Sequence, residues 1–123
     1  MADKPTVEIP ATDPPAALEL EELVVGDGEE AVAGATVSAH YVGVSWSTGT
    51  QFDASWDRGQ PLSFRLGAGQ VIEGWDTGIQ GMRVGGRRRI TIPPHLGYGD
   101  RGAPPVIAPG ETLVFVVDLD AVR

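Results

Sequence analysis

Only one stretch of the chain, GAGQVIEGWDTGI (67–79), has the spacing of a helix. On that helix Val71 and Trp75 stand four apart on one face, with Ile72 beside them. About two turns are too few to be stable alone in water, so the segment must be held by whatever it packs against. The other apolar patterns alternate in twos, as strands do. PLSFRL (61–66) puts Leu62, Phe64 and Leu66 on one side, and ATVSAHYVGVSW (35–46) can do the same with Val37, Ala39 and Tyr41. In GRRRITIPP (86–94), Ile90 and Ile92 face inward, Arg87, Arg89 and Thr91 face outward, and Pro93 and Pro94 end the run. TLVFVVDLDAV (112–122) aligns Leu113, Phe115, Val117 and Leu119, while LELEELVV (18–25) alternates apolar and acidic residues like an edge strand. The expected fold is α+β: an antiparallel sheet of five to six strands whose inner face wraps around one short helix.

A length of 123 residues suits one domain with a single core. Residues 1–17 contain Pro5, Pro10, Pro14 and Pro15 among small and acidic residues, and are expected to be a flexible lead-in to a domain spanning 18–123. The net charge of −8 resides there: residues 1–30 carry nine acids against Lys4, whereas residues 31–123 carry eight acids and eight arginines. A solvated, solubilising segment is the simplest account of that asymmetry, and an acidic interaction arm the alternative. The first fifteen residues hold no apolar run of signal-peptide type, and no stretch reaches the roughly 18 apolar residues of a membrane span. The expectation is a cytoplasmic protein with no membrane partner. The absence of cysteine removes disulfides, thiolate metal sites and cysteine nucleophiles from consideration.

His40 and His95 stand 55 positions apart without clustered partners, which speaks against a metal site, and neither GDGEEA nor GAGQVI lies in the βαβ setting of a dinucleotide fingerprint. Arg87, Arg88 and Arg89 invite a nucleic-acid reading, but a strand sends them to alternating faces of a neutral-to-acidic domain. No cofactor, metal or nucleic acid is expected. What remains is an apolar constellation: Tyr41, Phe52, Phe64, Val71, Ile72, Trp75, Tyr98, Ile107 and Phe115. Such residues are ordinary core, yet two tyrosines whose hydroxyls need partners suit a pocket mouth, where Asp53 and Arg58 can supply a charged pair. GDRGAPPVIAPG (99–110) is the kind of long glycine- and proline-rich loop that often serves function.

HYVG (40–43), FDASWDRGQPLSFRLGAGQVIEGWDTGIQGMRVGGRRRITIPPHLGYG (52–99) and TLVFVVDL (112–119), in this order and spacing, resemble the FKBP-type peptidyl-prolyl cis-trans isomerases. The resemblance covers about 36–123, with LELEEL in the place of the family's first strand. It implies a half-open antiparallel sheet around one helix, with Trp75 at the base of a ligand pocket. Asp53, Tyr98, Phe52 and Trp75 would be the catalytic set, and Tyr41, Phe64, Val71, Ile72, Ile107 and Phe115 the substrate-binding walls. Arg58 would partner Asp53, the Tyr98 hydroxyl and the Ile72 N–H would donate to carbonyls, and the 99–110 loop would move over the site. Leu62, Gln70 and Ala103 depart from residues frequent in the family, which bears on substrate preference and drug affinity rather than on the class of activity. The loop after Tyr98 is also too short for the chaperone insertion of some bacterial relatives.

The function so implied is isomerisation of X–Pro bonds during folding by a monomer. Its partners would be proline-containing peptides and unfolded proteins, with macrolides such as rapamycin and tacrolimus as ligands. The alternative is a module that holds proline-containing partners without turnover.

Overall fold

The computed structural model describes residues 3–123. Six strands, β1 (Glu19–Val24), β2 (Thr36–Ser45), β3 (Gln51–Ala54), β4 (Leu62–Arg65), β5 (Arg87–Ile92) and β6 (Leu113–Val122), form one antiparallel sheet in the order β1-β5-β6-β2-β3, with β4 also on β2. Helix α2 (Glu73–Gly78) packs on its concave face. The six strands and the sheet around a short helix agree with the sequence expectation. Two small elements were not anticipated: helix α1 (Ser55–Arg58) and a 3-10 turn at Pro94–Leu96. With four and three residues respectively, neither is long enough to show a period.

The helix begins later than the spacing predicts. Val71 lies ahead of it and Ile72 is its N-cap, so Val71 and Trp75 reach the same cavity without sharing a helical face. Asp76 fixes the entry by accepting from the Gly67 and Gly69 N–H groups, both at 2.9 Å. Close approach to the sheet depends on glycine: a Cβ at Gly74 would stand 2.6 Å from Cγ2 of fully buried Ile92.

One edge of β2 is divided between two partners. β4 pairs with Thr36 to Ala39 and β3 with Val42 to Val44, leaving residues 40 and 41 in the gap. Fully buried Ser55 fills it: its hydroxyl accepts the Tyr41 N–H at 2.7 Å and meets His40 Nδ1 at 2.8 Å. Ser55→Ala would leave that buried N–H without an acceptor. The expected loss is about 1–3 kcal/mol of stability, read from the urea midpoint, with Ser55→Thr closer to the parent.

Among its described residues, 3–17, the lead-in contains no helix or strand, but it is not apart from the fold. Val7 and Ile9, and Trp56 with them, pack on the outer face of the sheet against the cluster of Val42, Val44 and Ala54. Lys4 pairs with Asp57 at 2.8 Å, and Trp46 Nε1 donates to the Thr12 carbonyl at 3.3 Å. Prolines at 5 and 10 favour an extended chain, in which Val7 and Ile9, two apart, point the same way. β1 is an edge strand as expected, though all six of its residues are exposed.

Candidate functional site: an aromatic pocket over helix α2

Helix α2 presents Trp75, 3% exposed, to the hollow of the sheet. Three rings stand around it: Tyr41 edge-on at 4.9 Å, Phe115 edge-on at 5.2 Å, and Phe64 tilted at 5.6 Å. Phe52 in turn meets Phe115 at 5.5 Å and 90°. These are the edge-to-face arrangements that ring quadrupoles favour, and they make a stiff apolar floor. Above it lies a cavity of about 180 Å³. Trp75, Tyr41, Phe52 and Phe115 form its aromatic part; Val71, Ile72 and Leu62 add aliphatic wall, and Asp53, Gln70 and Tyr98 add polar groups. Drug-sized sites run to roughly 300–1,000 Å³. This cavity has room for one small ring and its flanking amide.

Of the ten residues expected at the site, eight line this cavity. Phe64 and Ile107, 5% and 4% exposed, are not among its lining residues, and the Phe64 ring packs against Trp75. Leu62 and Gln70, singled out in the sequence only as departures from a family pattern, are lining residues themselves. Alternation along β4 explains Leu62, which shares its face with Phe64. Gln70 is held by its side-chain carbonyl, which accepts the Arg65 N–H at 2.9 Å.

The polar rim is a closed network on one side. The Tyr41 hydroxyl donates to Asp53 Oδ2 at 2.6 Å, and Arg58 donates to Asp53 Oδ1 at 2.6 Å and to the Tyr41 hydroxyl at 2.7 Å. Burial first, and then the Asp53 carboxylate, raise the Tyr41 phenol above its ordinary range, with Arg58 pulling the other way. It therefore stays a donor at neutral pH and orients Asp53. The hydrogen bonds to Tyr41 and then Asp53 likewise hold the Arg58 guanidinium more firmly charged.

The other side of the rim is open. The Tyr98 hydroxyl has no hydrogen-bond partner among the described residues, and its side chain is exposed. The Ile72 N–H, just ahead of the helix, is also without a backbone partner among them. The 99–110 loop beside Tyr98 is braced internally, by Gly102 N–H to the Tyr98 carbonyl at 3.1 Å and Gly110 N–H to the Gly99 carbonyl at 2.9 Å. Ala103 and Ile107 bridge within it.

An antiparallel half-barrel closed on one helix, with a tryptophan-floored apolar cup and a carboxylate–guanidinium rim, defines the class of protein. Residues 27–120 match the family model described as FKBP-type peptidyl-prolyl cis-trans isomerase, and the chain belongs to that family. It is 64% identical over 121 residues to an FK506-binding protein of Streptomyces anulatus, covering 98% of each chain. A probable FK506-binding protein of Corynebacterium glutamicum is 48% identical over 117 residues, covering 95% of this chain and 97% of its own. The crystal structure of AtFKBP13 superposes with a TM-score of 0.81 at 43% identity, over 89% of this chain and 96% of that one. FkpA from Escherichia coli gives 0.78 at 42% identity, over 86% of this chain and 48% of its own.

Proposed function

We propose that the chain catalyses cis–trans isomerisation of X–Pro bonds in peptides and unfolded proteins. The observation that carries this reading is the Trp75-floored apolar cavity with two unused donors, the Tyr98 hydroxyl and the Ile72 N–H, beside it. Amide resonance sets a barrier of roughly 18–20 kcal/mol, so free X–Pro bonds exchange over about tens to hundreds of seconds. The planar amide carries a polarised carbonyl that water solvates well. At the twisted geometry resonance and much of that polarisation are lost. An apolar cup in place of water therefore disfavours the ground state more than the transition state. The proline ring sits over the Trp75 indole in this reading, and the two donors hold flanking carbonyls while the imide rotates. No proton is transferred and no covalent bond is made. A rate gain of about 10⁵ corresponds to about 7 kcal/mol of such differential stabilisation.

The same cavity is the proposed site for tacrolimus (FK506), by analogy with what the relatives' names say they bind, and for rapamycin as a second macrolide. Exchange of a short X–Pro peptide, followed by NMR without a coupling protease, tests the proposal. Acceleration that rapamycin abolishes is the expected result. Binding of rapamycin without acceleration would instead make the chain a holder of proline-containing partners. Tyr98→Phe is expected to lower kcat/KM about fivefold, the worth of one net hydrogen bond, with the fold intact.

A further inference from the structure

A cavity of about 180 Å³ holds a prolyl ring and the amide beside it, but a polypeptide substrate carries chain on both sides of that ring. The chain has to leave across the rim. On one side the network of Tyr41, Asp53 and Arg58 closes it. At Phe52 the pocket adjoins a second depression, a groove of about 440 Å³, and Phe52 lines both. The edge strand β3 runs from one to the other: Gln51 lies in the groove, Phe52 borders both and Asp53 is in the pocket.

Two stretches of chain line the groove. The turn after β2 and the start of β3 supply Thr48, Thr50 and Gln51, all exposed, and the 99–110 loop supplies Pro105 and Val106, the latter 55% exposed. The Thr50 hydroxyl and the Gln51 side-chain carbonyl have no hydrogen-bond partner among the described residues, so both are free to meet a peptide backbone. Glu111 gives the groove its charge, since no other residue lining it is ionisable. Only 7% exposed, its carboxylate accepts the Ser47 N–H at 3.0 Å and the Ser47 hydroxyl at 2.5 Å. It makes no ion pair among the described residues. A charge so withdrawn from water is screened less than a surface one, and its field acts in the groove without the carboxylate being touched.

We propose that the residues flanking the substrate proline run through this groove, and that Glu111 makes the enzyme prefer a basic residue there over an acidic one. This assignment rests on the isomerase reading of the pocket. The peptide backbone meets the Thr50 hydroxyl and the Gln51 carbonyl, and its apolar atoms lie on Val106. A lysine or arginine head stays hydrated in the mouth of the groove, within the field of Glu111. Glu111 lines the groove and not the pocket, so it sets specificity and takes no part in the rotation of the imide.

The test is cis–trans exchange, followed by NMR, in capped peptides with lysine, glutamine or glutamate two or three residues before the proline, or at the same distances after it. On the side that enters the groove, kcat/KM should fall in the order lysine, glutamine, glutamate, with about fivefold between the extremes. In Glu111→Gln that ratio should drop to near one. Glutamine keeps both contacts with Ser47, because a hydroxyl can accept as well as donate. A ratio of two substrates on one protein also cancels any loss of folded enzyme. Equal rates for the lysine and glutamate peptides on both sides of the proline would overturn the proposal. So would a preference that Glu111→Gln retains, which would belong to the net charge of −8 instead. Peptides that bind without being turned over would remove the isomerase reading alone, and the same ratios taken from Kd would still decide the groove. Peptides that neither bind nor turn over would sink both.

Discussion

Trp75→Ala is expected to lower the unfolding free energy by about 3–5 kcal/mol, a large part of the roughly 5–15 kcal/mol that domains of this size possess. The indole is nearly fully buried, and three aromatic rings lean on it edge-on or tilted. Removing it leaves a cavity that Ile90 and Ile92 of β5 cannot fill without pulling away from Gly78 and Gly74. The urea midpoint reads this loss. Activity has to be separated from it, which Trp75→Phe allows because a ring remains between Tyr41 and Phe115. With the fold retained, Trp75→Phe should lower kcat more than it raises KM, since in the proposed mechanism the floor acts on the rotating imide. A folded Trp75→Ala protein with undiminished isomerisation would remove Trp75 from the mechanism altogether.

The site was more legible in the sequence than the lining alone explains. Tyr41, Phe52, Phe115 and Trp75 stand far apart in the chain, and period-two alternation placed Tyr41 and Phe115 on inward faces without saying that they meet. The family resemblance supplied the meeting. Phe64 and Ile107, carried over as pocket walls by that resemblance, do not line the cavity in this structure. Both are apolar residues of the core around it, 5% and 4% exposed. A sequence pattern reports facing and not depth. Gln70 and Leu62 err in the opposite direction: chemically unremarkable, they reach the cavity because the turn before α2 and the end of β4 border it.

In the fold, what escaped the sequence lies mostly on the outer face. β2 is buried on both sides along Tyr41 to Ser45, although only its odd positions were assigned inward. Val42 and Val44 are covered by Val7 and Ile9, from a segment whose prolines and acids gave it the composition of a loose lead-in. The V-x-I spacing between Pro5 and Pro10 was the available signal, and it is too short to stand out as a strand. Two of the three tryptophans belong to this arrangement, Trp56 packed on the same cluster and Trp46 bonded to the segment. Ser55 was equally silent. Only the division of β2 between two partner strands creates the buried N–H that its hydroxyl answers.

Arg88→Met is expected to destabilise the chain by about 3 kcal/mol, although it lies in a run of three arginines that reads as solvated strand. Alternation sends Arg88 to the face of Ile90, and it is only 8% exposed. There its guanidinium donates to the Gly78 carbonyl at 2.6 Å and the Gln80 carbonyl at 3.0 Å, at the end of helix α2, and its Nε pairs with Glu22 of β1. One side chain thus ties an edge strand to the helix that carries the pocket floor. Methionine fills similar space but leaves two carbonyls without donors, at about 1–3 kcal/mol for a fully buried one and less for one partly wet. Glu22, 40% exposed, rehydrates when its partner goes, so Glu22→Gln alone should cost under about 1 kcal/mol. Arg88→Lys should recover only part of the loss, since an ammonium lacks the planar fork that reaches both carbonyls and the carboxylate. Denaturant midpoints rank the three variants. Amide exchange adds the decisive pattern: in Arg88→Met, protection should fall most at Trp75 and Ile79, whose N–H groups close the helix onto the Ile72 and Trp75 carbonyls. Because Trp75 rides on that helix, kcat/KM for a prolyl peptide should fall in the same variant at temperatures where it remains folded. An Arg88→Met protein as stable as its parent would mean that the helix end is held by packing against Ile90 and Ile92 alone.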